Sequence, residues 1–246
     1  MTTQQFRIEK DSLGEVQVPA DALYGVQTVR ATQNFPITQL RTHPVMIRSL
    51  GMIKKACAMA NHECGHLDDE RTGYILTACD EIIQGKLDAW FITDVIQGGA
   101  GTSTNMNTNE VVANRAAQLA GKPLGVYDYI HPNDHVNFGQ STNDVFPTAG
   151  KLTSLFLVED LLEELMLLQE ALLDKSIEFN DVIKLGRTHL QDAVPIRMGQ
   201  EFHAFATAIV RDIRRIKVAF SNLKSVNMGA TAVGTGINTD ERYKRI

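Results

Sequence analysis

The sequence predicts a mainly α protein, with a small N-terminal domain of α/β type over residues 1–144 and the first long helices of a central helical bundle over 145–246. Three observations carry that prediction. From Leu152 to Ile177 apolar residues return every three to five positions without a breaker. A second stretch of the same kind runs from Met198 to Val226. Ahead of both, shorter helical patterns are bounded by capping residues and glycines, after an opening segment that alternates like a strand.

Phe6, Ile8, Val16 and Val18 alternate with polar residues around Leu13-Gly14, which predicts a short hairpin. Ala20 to Gln39 has no strong period, and Pro36 argues against a long helix there. Thr42 or His43 before Pro44 marks a capped helix start, and Val45, Ile47, Leu50, Ile53, Lys54 and Cys57 continue one helical face to about Cys64. Asp68 or Asp69 caps the next helix, which buries Tyr74, Ile75, Cys79, Ile82 and Ile83 and stops at Gly85. A third follows the Gly98–Gly101 turn and carries Val111, Val112, Ala116 and Leu119 to Gly121.

After Pro147 the spacing of Leu152, Leu155, Val158, Leu162, Leu165, Leu168, Leu172 and Ile177 predicts one helix, roughly 45 Å long at 1.5 Å per residue. Leu157, Leu161, Met166, Leu167 and Leu173 add apolar surface on its other sides, so it requires several packing partners. A comparable helix fits Met198 to Val226 through Phe202, Phe205, Ile209, Ile213, Ile216 and Phe220. Two such helices cannot bury this surface alone, so further bundle partners are expected from other subunits or from sequence beyond residue 246. A new helical pattern, with Thr239 or Asp240 as N-cap, is expected over the last residues, and the chain reads as truncated.

Composition narrows the function classes. With 43% hydrophobic and 22% charged residues the chain is of globular type. Its 24 Lys plus Arg against 29 Asp plus Glu, a net charge of -5, give no general attraction to nucleic acid or anionic lipid. Any anionic ligand must therefore be held by local groups. Cys57, Cys64 and Cys79 are odd in number and lack C-x-x-C spacing, which disfavours a disulfide framework and a thiolate zinc site. The charged N-terminus and the lack of a membrane-length apolar window leave the cytoplasm as the expected location, with no membrane partner.

Three distant stretches combine glycine, hydroxyl and amide residues: Gly98 to Asn107, Gly139 to Asp144 and Gly186 to Asp192. Hydroxyls, amides and free backbone N–H groups can hold a carboxylate, and glycine lets backbone approach it. Thr102 and Ser103 open one helix, and Ser141, Thr142 and Asn143 stand at the start of another, where unpaired N–H groups and the dipole favour an anion. Ordinary capping needs one such residue rather than a run of them. The first stretch lacks the lysine of a phosphate loop and the preceding strand of a dinucleotide loop, so a small dicarboxylate fits better than a nucleotide. In the third stretch, read as a loop, Lys184, Arg187 and His189 bring positive charge beside Thr188, with Asp192 available to orient the histidine ring.

His62-Glu-Cys-Gly-His66 matches the zinc-protease pattern H-E-x-x-H. Gly65 and Asp68, however, read as the end of one helix and the cap of the next. That takes His66 off the face carrying His62, so no metal ligands are assigned.

On these residues the chain resembles the aspartase/fumarase superfamily of homotetrameric lyases, which cleave C–N or C–O bonds to release fumarate or related products. Gly99 to Asn107, Gly139 to Asp144 and Thr188 to Pro195 resemble the ammonia-lyase branch. Class II fumarases usually carry Gln in place of Ser103, Ser in place of Thr142 and Thr in place of Leu190. The resemblance implies conversion of L-aspartate to fumarate and ammonia through an aci-carboxylate, with no organic cofactor; magnesium (Mg2+) activates some relatives. It implies a substrate-binding set of Thr102, Ser103, Ser141, Thr142, Asn143, Thr188 and His189, the last two catalytic and supplied by another subunit of a homotetramer. The family's base, a serine on a Gly-Ser-Ser loop, is not in these 246 residues, so the chain alone is expected to be inactive. A hydratase acting on malate and a non-catalytic helical scaffold are the alternatives.

Overall fold

The computed structural model describes residues 5–246. The expected hairpin is present: β1 (Phe6–Asp11) and β2 (Gly14–Pro19) pair antiparallel, with Arg7 opposite Val18 and Glu9 opposite Val16. Arg7 orders the aperiodic segment that follows. Its guanidinium donates to the carbonyls of Pro19, Ala20, Ala22 and Tyr24 and pairs with Glu9 at 2.7 Å. That segment leads into a short helix, α1 (Val26–Asn34), which ends before Pro36. Its N-cap, Gly25, offers no side chain. The Glu110 carboxylate instead accepts from the backbone N–H groups of Gly25, Gln27 and Thr28, an acid at a helix N-terminus supplied from far along the chain.

The predicted helices follow as α2 (Pro44–Glu63), α3 (Asp69–Ile83) and α4 (Thr102–Leu119). His43 Nδ1 caps α2 at Val45 N, and Asp68 Oδ1 caps α3 at Arg71 N. Their shared core is apolar, with Ile47, Ala58, Ile75, Cys79, Ile82, Phe91, Val111, Val112 and Ile130 buried together. A second cluster joins Leu50, Ile53 and Cys57 of α2 to Val145, Ala149 and Tyr243. A π-helical turn, Pro132–Val136, leads to α5 (Thr142–Glu178).

The helix start expected at Ser141 to Asn143 and the long helix expected after Pro147 are one helix, which carries the proline inside it. Proline supplies no N–H to the carbonyl four residues back, that of Asn143. The Asn227 side chain donates to that carbonyl at 2.9 Å, which replaces the missing hydrogen bond. The helix expected to begin at Thr239 or Asp240 does not form. Asp240 takes the Arg242 N–H and guanidinium on its carboxylate, and the segment folds as turns with Tyr243 buried.

The chain packs as two units. One takes in residues up to Thr153 together with Val226–Ile246, and it holds both core clusters. The other is Ser154–Ser225. In this second unit the stretch expected as a loop is an antiparallel hairpin, β3 (Ile183–Thr188) and β4 (Gln191–Arg197), followed by α6 (Met198–Leu223). The sequence did not announce the hairpin because its two turn residues are His189 and Leu190, both at positive φ (47° and 63°), where Asn-Gly would be the usual signal. Gly199 lets the start of α6 press on the end of α5: a Cβ there would lie 2.3 Å from the Ser176 carbonyl oxygen. Leu157, Leu161, Met166, Leu167 and Phe205 are exposed in this unit. Among the described residues no helix is long and apolar enough to cross a membrane.

Candidate functional site

The first two polar stretches meet within the first unit. Gly101, at φ +90°, precedes α4, and a Cβ on it would lie 2.3 Å from the Phe146 ring of α5. One turn along, Asn105 Nδ2 donates to Thr142 Oγ1 at 3.2 Å. The N-termini of α4 and α5 are thereby held side by side, and two helix dipoles present their positive ends on one side of the unit.

At α4 the polar run divides. Thr104, Asn105 and Asn107 point inward: Gln97 exchanges hydrogen bonds with Thr104, and Asn107 bridges Ile92 N and Trp90 O. Thr102 is exposed and Ser103 half-buried, and their backbone N–H groups have no protein partner among the described residues. Of the six residues from Thr102 to Asn107, the amides and Thr104 thus have packing roles, while the first two hydroxyls face out.

At α5, Ser141 and Asp144 form a reciprocal cap. Ser141 Oγ accepts from Asn143 N at 3.2 Å, and Asp144 Oδ1 accepts from Ser141 N at 2.9 Å. Asn143 Nδ2 donates to the Ala232 carbonyl at 2.9 Å. Ser141 and Thr142 line a cleft of about 810 Å³, with Asn137, Gly139 and Gln140 from the preceding loop and Thr231 and Asn238 from the C-terminal segment. Gly139 turns the loop at φ +69°, a conformation that favours glycine.

Beneath the loop lies a residue whose part in the site was not recognised from sequence. Lys54 of α2 is fully buried, and its Nζ is 2.8 Å from both Asn137 Oδ1 and Gln140 Oε1. Burial pushes its pKa down from 10.5 to about 8, opposed by the nearby Cys57, Cys79 and Asp144. The available signal was a lysine on a face otherwise made of Ile47, Leu50, Ile53 and Cys57.

Thr188 and His189 belong to the second unit. Both are exposed, Thr188 at the end of β3 and His189 in the turn. Asp192 lies 3.6 Å from Arg187 Nε, and no hydrogen bond joins it to His189 among the described residues. His62 and His66 of the H-E-x-x-H match reach different carboxylates, Asp69 at 2.6 Å and Asp240 at 3.3 Å. Among the described residues no three His, Cys, Asp or Glu side chains cluster to hold a metal ion, so no site for magnesium is assigned.

The family model described as Lyase matches residues 14–246. The chain belongs to this lyase family. An aspartate ammonia-lyase of a Bacillus species is 58% identical over 237 residues, which cover 96% of this chain and 51% of the relative. That of Bacillus subtilis (strain 168) is 52% identical over 240 residues, 98% of this chain and 50% of the relative. A class II fumarate hydratase of Halobacterium salinarum is 50% identical over 242 residues, 98% of this chain and 51% of the relative. Among solved structures, the fumarate lyase:delta crystallin of Brucella melitensis bound to cobalt superposes with a TM-score of 0.91 at 48% identity, covering 98% of this chain and 53% of that one. The lyase chain therefore spans about half the length of the relatives it matches, and its mainly helical fold is theirs.

Proposed function

We propose that this lyase chain forms part of an ammonia-lyase that converts L-aspartate to fumarate and ammonia. The single observation that carries the reading is the Asn105–Thr142 hydrogen bond, because it ties the first turn of α4, which bears Thr102 and Ser103, to the start of α5, whose Ser141 and Thr142 line a polar cleft. Removal of a proton from the carbon next to a carboxylate sends the electron pair into that carboxylate and makes an aci-carboxylate. Its added charge needs donors already in place. Thr102, Ser103, Ser141 and Thr142 supply hydroxyl and backbone N–H donors for the dianion, and Asn143, whose Nδ2 gives one hydrogen to the Ala232 carbonyl, supplies its second. When the intermediate collapses, the electron pair forms the carbon–carbon double bond and the amino group leaves as ammonia.

Thr188 and His189 are proposed to complete the site from another subunit of a cytoplasmic homotetramer. The turn that follows Thr188 supports this: His189 and Leu190, two non-glycine residues held at positive φ, store backbone strain of the kind found at functional positions. No organic cofactor enters the reading. The proton-abstracting base is assigned outside these residues, so the chain by itself is proposed to be inactive.

A hydratase acting on malate is the second reading, favoured by the 50% identity to the Halobacterium fumarate hydratase. The experiment is to follow fumarate by its ultraviolet absorbance with L-aspartate and with L-malate as substrates. The 246-residue chain is compared with the same chain extended by the remaining half of the 58% identical Bacillus relative. Turnover of L-aspartate by the extended form alone is expected. Turnover of malate alone selects the hydratase, and turnover by the 246-residue chain overturns the site assignment.

A further inference from the structure

Lys54 sits in the interior with no ion-pair partner among the described residues: both hydrogen-bond acceptors of its ammonium, Asn137 Oδ1 and Gln140 Oε1, are neutral. The titratable groups that face it are Cys57 on its own helix, Cys79 on α3 and Asp144 on α5. Asp144 gives its two oxygens to Ser141 N and Thr231 N instead. The buried positive charge is thus only distantly compensated. Such a charge is costly, and a neutral side chain of similar length would fill the same space without the cost.

A lysine can only donate, so it fixes which way the amides around it turn. With their oxygens committed to Lys54, the nitrogens of Asn137 and Gln140 face away, to the Gln140 carbonyl at 3.4 Å and the Val136 carbonyl at 2.9 Å. Asn105 Nδ2 donates to the same Asn137 oxygen at 3.3 Å and to Thr142 Oγ1 at 3.2 Å. Because Thr142 accepts from the interior, its own hydrogen is left for the cleft it lines.

We propose that Lys54 is a positioning residue for the carboxylate site: its buried ammonium orients the Asn137, Gln140 and Asn105 amides that aim the Thr142 hydroxyl, and it supplies the positive charge that a bound C4 dicarboxylate neutralises. This rests on the reading of the cleft as a carboxylate site. A bound dianion favours the protonated lysine, so binding and protonation are linked. Affinity falls as pH rises through the free lysine's pKa of about 8, and binding there draws protons from solution.

The test is calorimetric titration of succinate, a C4 dicarboxylate that cannot eliminate, into the extended chain described above, at about pH 7 and about pH 9.5, and at about pH 8 in two buffers of different ionisation enthalpy. Expected are affinity at least about tenfold weaker at the higher pH and uptake of about half a proton per site at about pH 8. Lys54→Met, checked for folding by circular dichroism, is expected to bind weakly with no pH dependence and no proton uptake. If the extended chain, otherwise unsubstituted, binds no succinate, the carboxylate-site reading falls and this proposal with it. If that chain binds with equal affinity at both pH values and without proton uptake, Lys54 has no such role while the site reading stands. Its titration decides the matter even if Lys54→Met does not fold.

Discussion

Asp144 and Thr231 are joined by a buried hydrogen bond of 3.0 Å between residues 87 apart in sequence. The same carboxylate accepts from Ser141 N at 2.9 Å, so one side chain caps α5 and anchors the C-terminal segment against it. Asp144→Ala leaves the buried Thr231 N–H and the half-buried Ser141 N–H unpaired and is expected to cost about 3 kcal/mol of unfolding free energy, with Asp144→Asn recovering part of the loss. Urea unfolding followed by circular dichroism measures it. A cost below about 0.5 kcal/mol contradicts the anchoring role.

Gly101 carries both a left-handed backbone and the packing of α4 against Phe146. Gly101→Ala puts a Cβ 2.3 Å from that ring in a conformation that L residues avoid. The expected cost is roughly 3 kcal/mol, together with weakened succinate binding because the two helix N-termini separate. Unchanged stability and unchanged binding together contradict the close packing.

The β3–β4 turn gives a stabilising substitution. Leu190 is 96% exposed and held at φ 63°, so its side chain contributes little packing while its backbone is strained. Leu190→Gly is expected to stabilise the hairpin by about 1 kcal/mol. Slower amide hydrogen exchange across Arg187 to Asp192 checks it, and faster exchange there contradicts the strain argument.

Alkaline stability follows from the buried thiols. Burial pushes Cys57 from 9 to about 11 and Cys79 to about 12, so the folded chain keeps protons that the unfolded chain releases. Their contribution is full below pH 9 and is lost as pH rises through the folded values. Lys54 acts oppositely. Its value is depressed from 10.5 to about 8, so the unfolded chain binds the extra proton between these values and stability rises with pH there. Thermal unfolding is therefore expected to show Tm holding or rising between about pH 8 and 9 and falling above it, with a shallower fall in Cys57→Ala plus Cys79→Ala. An unchanged alkaline slope in that variant removes the thiols from the account.

Local signals were enough for the helices. His43 before Pro44, Asp68 at the start of α3 and the glycine turn before α4 each end an orphaned backbone run in a way the residues announce. The start of α5 was announced by Ser141 to Asn143, but its continuity was hidden because Pro147 breaks helices unless the carbonyl it orphans finds a donor, and that donor, Asn227, is 84 residues from the Asn143 carbonyl. The hairpin was hidden because His189 and Leu190 occupy a turn whose usual residues are Asn and Gly. At the cleft, the polar stretches showed where hydroxyls and amides gather. They did not show that Thr104 and Asn107 would be consumed in packing, or that Lys54, ten residues past the start of α2 with no nearby motif, would underlie the Gly139 loop. Partners distant in sequence leave no local pattern.

The strip that carries Asn227, Met228, Thr231 and Tyr243 closes the second core cluster of a unit whose other members precede Ser154. During synthesis the ribosome must deliver all of Ser154–Ser225 before that strip emerges. Leu50, Ile53, Cys57 and Val145 consequently wait uncovered on a nascent chain whose helices are already made, and completion of the earliest-born unit is set by one of its last-born pieces.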